Sequence, residues 1–516
     1  MLRLSRLAFL MLLLGSSAIA RGWAQNMGGP VEVKTRQGRL HGSREANLCV
    51  FRGIPYAQPP VGPLRFRPPQ PLPRQHGPRP ATQFGHRAVQ AGGPTGVQGS
   101  EDCLYLNVWA PAWPTRSRPA GVRPVVVWVH GGAFTGGSGQ DNDTWTFAAQ
   151  DSVVAVSLNY RLGSLGFLHL GEALGPAYRQ AGNVGLLDAV AALRWVHDNI
   201  RAFGGDPTRV TLMGESAGAK LVGALLVTPA AEGLFQQVIL ESGAVQAIRD
   251  TATAAAVTRQ LLGELHLAQP QALLTLPADT LIRAQARFAS GAGGLQVFGP
   301  VQDGLALPQP PFAYLRRLKR RPPAVLLGTN LEEAGLFTGP GSVLAQPNEK
   351  ALQQVFGRNA AAVWAAYRRL SQTQPAQQAW NTTLTDYLYR LATYRLADTL
   401  AAQNRPVWLY RFDWHNATQR PLHAQELAFV WNAPLGSSGA APTLPASLPG
   451  KAADAALAAR MHAYWARFIK TGRPGPDWPA YSAPGRMVMV FDSASGPRPA
   501  PDAYRDPGFP TQAYRR

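Results

Sequence analysis

With 516 residues, 46% of them hydrophobic and 16% charged, the chain has the make-up of a globular protein with ample apolar material for a large core. Its formal charge of +20 comes from 50 Lys and Arg against 30 Asp and Glu, which raises nucleic acid as a partner. The basic residues are mostly Arg spread along the chain, the densest run (316–321) stops at Pro322-Pro323, and no recognition motif accompanies the charge, so no nucleic-acid partner is expected.

The first 24 residues read as a signal peptide. Arg3 and Arg6 precede an apolar run at 7–14, and small residues follow at Ala18 and Ala20 and again at Gly22 and Ala24. Cleavage after Ala20 or after Ala24 fits, and the product is then periplasmic or secreted. The rival reading, an uncleaved anchor, needs about 20 apolar residues to span a bilayer, more than this run supplies. No later segment is apolar over such a length, so no stable membrane span is expected once the signal is removed. Pro and Gly cluster at 58–80, 91–99 and 111–124, the mark of surface loops. Short apolar runs bounded by Gly then follow at 125–129, 153–156, 209–213, 237–240 and 325–327, the pattern of strands buried on both faces. Between them Leu186, Val190, Leu193, Val196, Ile200 and Phe203 recur at helical spacing. This alternation predicts an α/β chain with a mainly parallel sheet flanked by helices. Residues 244–420 are richer in helical pattern, with helices expected at 359–370 and 383–403 over one end of the sheet. The Pro-rich tail from about Pro497 is expected to be disordered. Two cysteines, Cys49 and Cys103, are too few for a disulfide framework, and spacing does not say whether they pair.

Gly214-Glu215-Ser216-Ala217-Gly218 is the only G-x-S-x-G string in the chain. It follows an apolar strand and precedes a helix-compatible stretch at 217–227, the setting of a nucleophile elbow in which glycines flank a strained, exposed serine. The N–H of Ala217 would then face the reacting oxygen. His130-Gly131-Gly132-Ala133-Phe134 follows the strand at 125–129 and fits the second half of an oxyanion hole, through Gly132 and Ala133, with His130 as a structural histidine. In an α/β-hydrolase the acid and then the histidine come later in the chain. Glu332 and Glu333 follow a buried run and a glycine, and spacing does not choose between them. His415 and His423 both flank a loop after a strand at 407–412, while His462 sits in a helical pattern at 452–468 and reads as structural.

These residues resemble the type B carboxylesterases and cholinesterases over about residues 31–492. The likeness is carried by Phe51-Arg52-Gly53-Ile54-Pro55-Tyr56-Ala57, Glu101-Asp102-Cys103-Leu104-Tyr105-Leu106-Asn107-Val108, Asn159-Tyr160-Arg161-Leu162-Gly163 and Phe203-Gly204-Gly205-Asp206-Pro207, in the family's order. The resemblance implies an α/β-hydrolase fold with helical insertions over the active site, in one domain at 25–500 with a flexible tail at 501–516. It implies ester hydrolysis on small-molecule substrates, without a metal or cofactor, by Ser216, Glu333 and His423. Gly132, Ala133 and Ala217 match the oxyanion donors, and Glu215 and Ser242 match supporting positions. The block His423-Ala424-Gln425-Glu426-Leu427 points to His423 over His415. Ala334 stands where the family has Gly after the acid. Ala88 stands where the usual partner of Cys103 would be, so that disulfide is not expected. No Trp lies between Gln83 and Glu101, so no dedicated choline site is expected. Two other readings share the scaffold: an inactive homologue used for binding, and a lipase or amidase on the same three residues. Oligomeric state is not legible.

Overall fold

The computed structural model describes residues 27–92, 96–113, 122–288, 297–318, 323–417, 419–433, 452–482 and 485–501. The expected signal peptide, all but the first residue of the expected tail and part of the basic run at 316–321 lie outside these residues. Fifteen strands are described: β1 (Met27–Lys34), β2 (Arg39–Glu45), β3 (Leu48–Pro55), β4 (Pro78–Pro80), β5 (Gln90–Ala91), β6 (Val97–Gln98), β7 (Tyr105–Pro111), β8 (Arg123–Val129), β9 (Val154–Leu158), β10 (Gly205–Glu215), β11 (Gln237–Glu241), β12 (Ala324–Asn330), β13 (Val407–Phe412), β14 (Met487–Phe491) and β15 (Gly496–Pro499). Thirteen join one sheet in the order β1-β2-β3-β7-β9-β8-β10-β11-β12-β13-β14-β15, with β4 beside β2. From β9 to β14 every neighbour is parallel, as the apolar runs predict. The N-terminal strands β1, β2, β3 and β7 pair antiparallel.

Period-two alternation explains why these strands carry no polar face. Val125, Val127, Val129, Val238 and Leu240 belong to one core, and Val126, Trp128 and Ile239 to the core on the opposite face. The helices Val184–Asn199 and Ala217–Leu225 supply Leu186, Ala189, Leu221 and Val222 to the first core. The long helix Ala452–Thr471 supplies Met461, Trp465 and Phe468 to the second. A third, smaller core joins Ala334 and Tyr389 with the helices Glu349–Phe356, Ala360–Leu370 and Ala376–Thr385.

The chain runs from β8 to β9 on one side and later places β10 on the other side of β8. A parallel sheet binds ligands at such a switch point, beyond the carboxyl ends of its strands. There β8 delivers the Gly131-Gly132 turn, β10 delivers Ser216, β11 Ser242 and β12 the turn with Glu333.

Two expectations are corrected. Residues 496–499 are not disordered: they form the edge strand β15, antiparallel to β14. An edge strand tolerates Pro497 and Pro499 because half of its backbone groups need no partner. The helix expected at 383–403 is also not continuous. It divides into Ala376–Thr385, a π-helical turn at Asp386–Arg390 and Leu391–Ala401. Cys49 and Cys103 are both buried and free, in agreement with Ala88 replacing a cysteine. No helix among the described residues is long and apolar enough to cross a membrane.

Candidate active site

β10 ends at Glu215, and Ser216 turns the chain into the helix Ala217–Leu225 with φ 54° and ψ −119°. Such a conformation costs a non-glycine residue about 1–3 kcal/mol. It is held by a hydrogen bond from the Ser216 N–H to the Glu241 carbonyl (2.8 Å) and one from the Lys220 N–H to the Ser216 carbonyl (2.9 Å). The flanking glycines are required by space. A Cβ on Gly218 would stand 2.0 Å from the Val129 carbonyl oxygen, and one on Gly214 would stand 2.7 Å from the Gly218 carbonyl carbon. The helix start is thus pressed against the end of β8.

The turn after β8 approaches as closely. A Cβ on Gly131 would lie 2.8 Å from Glu215 Oε2 and 3.3 Å from Ser216 Cβ. Gly132 (φ 103°), Ala133 (φ 54°) and Phe134 (φ 61°) all take left-handed backbone. Hydrogen bonds from the Thr135 and Gly136 N–H groups to the Gly132 carbonyl (2.9 Å each), and from the Gly163 N–H to the Phe134 carbonyl (2.6 Å), hold it there. The N–H groups of Gly132, Ala133 and Ala217 donate to no group of the described residues. Ala217 also opens a helix, where the backbone dipole favours negative charge. His130 is structural. Its ring stacks on Tyr160 (4.5 Å), and burial pulls its imidazole down to about 4, so it is neutral.

Glu333 opens the short turn Glu333–Leu336 after β12 and is fully buried. Its Oε1 accepts from Ser242 Oγ (2.6 Å) and the Asn330 N–H (2.8 Å), and its Oε2 lies 2.5 Å from His423 Nδ1. His423 arrives on the loop after β13, and its Nε2 is 2.8 Å from Ser216 Oγ. Geometry therefore separates the alternatives left open by spacing. Glu332 pairs with Arg420 toward solvent, and His415 Nδ1 meets the Asp413 carbonyl (3.1 Å). His462 bridges Asp151 and the Val430 carbonyl inside the second core. The methyl of Ala334 is accommodated in the third core, and its N–H donates to Thr385 Oγ1 (3.1 Å).

Ser216, Glu333, His423, Gly132, Ala133, Ala217, Glu215 and Ser242 thus lie together at this centre, whereas Glu332, His415 and His462 do not. Ser216, His423, Glu333 and Ser242 form one hydrogen-bonded chain, and Glu215 Oε1 stands 3.1 Å from His423 Nε2 on the serine side. Sequence reasoning missed three further buried groups. Glu426 Oε2 accepts from Asn330 Nδ2 (2.5 Å), Glu241 Oε1 accepts from Trp465 Nε1 (2.9 Å), and the Lys220 ammonium lies near Glu215 and Glu333. The available signals were a charge closing the apolar run of β11 and a second acid three residues after His423. Burial, reinforced by Glu333, pushes Glu215 well above the usual carboxyl range. Burial with Glu426 and Glu215 does the same to Glu241, and burial with Glu215 and Glu333 lifts Glu426 to about 8.

Residues 29–496 match the Carboxylesterase family. The chain belongs to that family. It is 37% identical over 483 residues to the para-nitrobenzyl esterase of Bacillus subtilis (strain 168), covering 89% of this chain and 94% of the relative. It is 30% identical to the human cocaine esterase, covering 95% and 92% of the two chains. The solved Geobacillus stearothermophilus carboxylesterase superposes with a TM-score of 0.81 at 38% identity, over 92% of this chain and 99% of that one. The fold of this carboxylesterase is accordingly the α/β-hydrolase fold, and the protein is a serine carboxylesterase that hydrolyses carboxylic esters. An inactive binding role has no support in a centre where all three side chains are within hydrogen-bond reach.

Proposed function

We propose that this carboxylesterase works by two-step acyl transfer through Ser216, His423 and Glu333. The reading is carried by one observation: Ser216 Oγ, His423 and Glu333 form a continuous buried relay with links of 2.8 Å and 2.5 Å. His423 Nε2 takes the hydroxyl proton as Ser216 Oγ attacks the ester carbonyl. Glu333 holds the ring in the productive tautomer and stabilises the imidazolium that forms. Gly132, Ala133 and Ala217 direct their N–H groups at the carbonyl oxygen as it becomes an oxyanion, each such donor being worth on the order of 3 kcal/mol of barrier. His423 then gives its proton to the departing alkoxide. Water, deprotonated by the same imidazole, attacks the acyl-serine and releases the acid. The proton count closes over one cycle, and nothing in the sequence of steps calls for a metal or a cofactor.

The rings of Phe337 and Tyr389 pack against the imidazole at 5.3 Å and 4.7 Å. The leaving alcohol departs toward that imidazole, which supports small esters of aryl or arylalkyl alcohols as substrates. The name of the Bacillus subtilis relative agrees. The test is Ser216→Ala, assayed on p-nitrophenyl acetate and with a fluorophosphonate probe. Turnover is expected to fall by at least about 10⁴-fold and labelling to vanish. Wild-type turnover by the variant would remove the mechanism. A panel of longer acyl chains and of amides separates esterase from lipase or amidase specificity.

The leader at residues 1–24 further supports export to the periplasm or beyond. N-terminal sequencing of the exported protein should begin at Arg21 or Gln25. An intact Met1 in a purely cytosolic protein would overturn this.

A further inference from the structure

Lys220 has no part in the acyl-transfer steps, yet it lies at their centre. It sits one helical turn beyond Ser216 and is 4% exposed. Among the described residues its ammonium makes no hydrogen bond or ion pair. Nζ stands instead 4.8 Å from the centre of the Tyr389 ring. The same ring packs on the imidazole of His423, with centroids 4.7 Å apart. A desolvated ammonium on an aromatic ring is held there by the ring's quadrupole.

Tyr389 reaches this place through the π-helical turn Asp386–Arg390, a local irregularity that recurs at functional sites. The next residue, Arg390, ties that turn to β12, donating to the Leu331 carbonyl (2.6 Å) and the Asn330 carbonyl (3.3 Å), two and three residues before Glu333. The ring is thus fixed relative to both the acid and the histidine. The charged groups acting on Lys220 are Glu215 at the end of β10, Glu333 after β12 and Arg249 from the segment before the helix Thr251–Glu264. Those around His423 are Glu333, Glu215 and Glu426. Lys220 is therefore a cation set among acids. Burial draws its ammonium down to about 8, against the pull of Glu215 and Glu333, so it is charged at neutral pH.

We propose that Lys220 is a positioning residue of the esterase: its buried charge, seated on Tyr389, opposes protonation of His423 and so extends activity toward acid pH. The inference rests on the assignment of His423 as the base. At a separation of no more than about 9.5 Å, the sum of the two ring distances, an effective dielectric of about 20 makes the coupling worth about one pH unit.

The experiment is the pH dependence of kcat/KM for p-nitrophenyl acetate, whose limbs report the free enzyme, from about pH 5 to about pH 9. Lys220→Met should move the acid limb up by about one unit, while Lys220→Arg, which keeps the charge, should leave it within a few tenths of a unit. Fluorophosphonate labelling rates should show the same displacement without substrate. If Lys220→Met is not recovered folded, Lys220→Gln carries the same expectation. A neutral variant whose acid limb coincides with wild type, at whatever plateau, overturns the proposal. His423→Ala separates the two assignments. Its retention of activity would sink the base itself, whereas an inactive His423→Ala beside an unmoved Lys220→Met limb would sink only the role of Lys220.

Discussion

Ser242 offers a way to separate a hydroxyl's contribution to catalysis from its contribution to the fold. It follows β11, is fully buried, and takes left-handed backbone at φ 54°. Its N–H donates to the Gly328 carbonyl (2.9 Å), a bond that survives any substitution but proline. Its Oγ gives Glu333 Oε1 one of two donors, the other being the Asn330 N–H. A hydrogen bond to a buried charged group is worth about 1.5–3 kcal/mol. Removing it leaves the Asn330 N–H as the one donor on Oε1 beside His423 on Oε2, and a carboxyl held by fewer donors orients the imidazole less firmly. Both Ser242→Ala and Ser242→Gly delete the hydroxyl, but only glycine relieves the left-handed strain, by about 1 kcal/mol net of its greater freedom when unfolded. Both variants are therefore expected to lose about tenfold in kcat/KM, the equivalent of about 1.4 kcal/mol, while the glycine variant melts at the higher temperature. The assay is p-nitrophenyl acetate turnover beside thermal unfolding at one scan rate. If Ser242→Gly regains activity in step with stability, the loss belongs to the fold and not to the anchoring of Glu333. If both turn over at the wild-type rate, the anchor does not matter.

Gly218→Ala places a methyl 2.0 Å from the Val129 oxygen, and both sides of that contact are backbone. The elbow must then withdraw from β8 by about 1 Å, a displacement that costs about 100-fold in rate. Circular dichroism should show a folded protein with kcat/KM reduced by at least about that factor, and wild-type turnover would show that the contact is soft. Glu426→Gln tests the burial of acids. A carboxyl lifted to about 8 in the folded protein binds more protons there than when unfolded between its ordinary value and about pH 8. Wild-type stability therefore declines as pH rises through that window, and an uncharged amide removes this carboxyl's share of the decline. The melting temperature of the variant relative to wild type should improve on going from about pH 5 to about pH 8.5, and a difference independent of pH would refute the assignment.

The elbow is legible in the sequence because its requirements are local. An apolar strand, two glycines that cannot carry a Cβ and a helix follow one another within some twenty residues. The acid is not legible in the same way. Glu332 and Glu333 are neighbours, and only the arrival of Arg420 and His423, about ninety residues later, sends one outward and the other into the relay. Spacing likewise leaves His415 and His423 equal, and the block His423-Ala424-Gln425-Glu426 decides between them only through a family resemblance. The π-turn escapes because Leu384, Leu388 and Leu391 keep a helical rhythm across it, so periodicity does not reveal the added residue that sets Tyr389 against the imidazole. β15 escapes because Pro497 and Pro499 argue against a strand wherever the partner is unknown, and only its edge position lifts that objection.

The buried acids explain why a center this rich in carboxyl groups is stable. Glu215, Glu241 and Glu426 are each pushed up first by burial and then by neighbouring acids, Glu333 acting on Glu215, Glu426 and Glu215 on Glu241, and Glu215 and Glu333 on Glu426, which favours the neutral acid. Glu333 alone has both oxygens met by donors, three in all, the arrangement a carboxylate needs. The four acids are therefore of two kinds, three that burial pushes toward the neutral form and one with every oxygen met by a donor. When His423 becomes an imidazolium, the new positive charge stands 2.5 Å from Glu333 and 3.1 Å from Glu215 Oε1. A cation at that distance favours the ionised form of Glu215. Glu215 thus faces the ring at Nε2 and Glu333 at Nδ1, so the new positive charge meets an acid at each nitrogen.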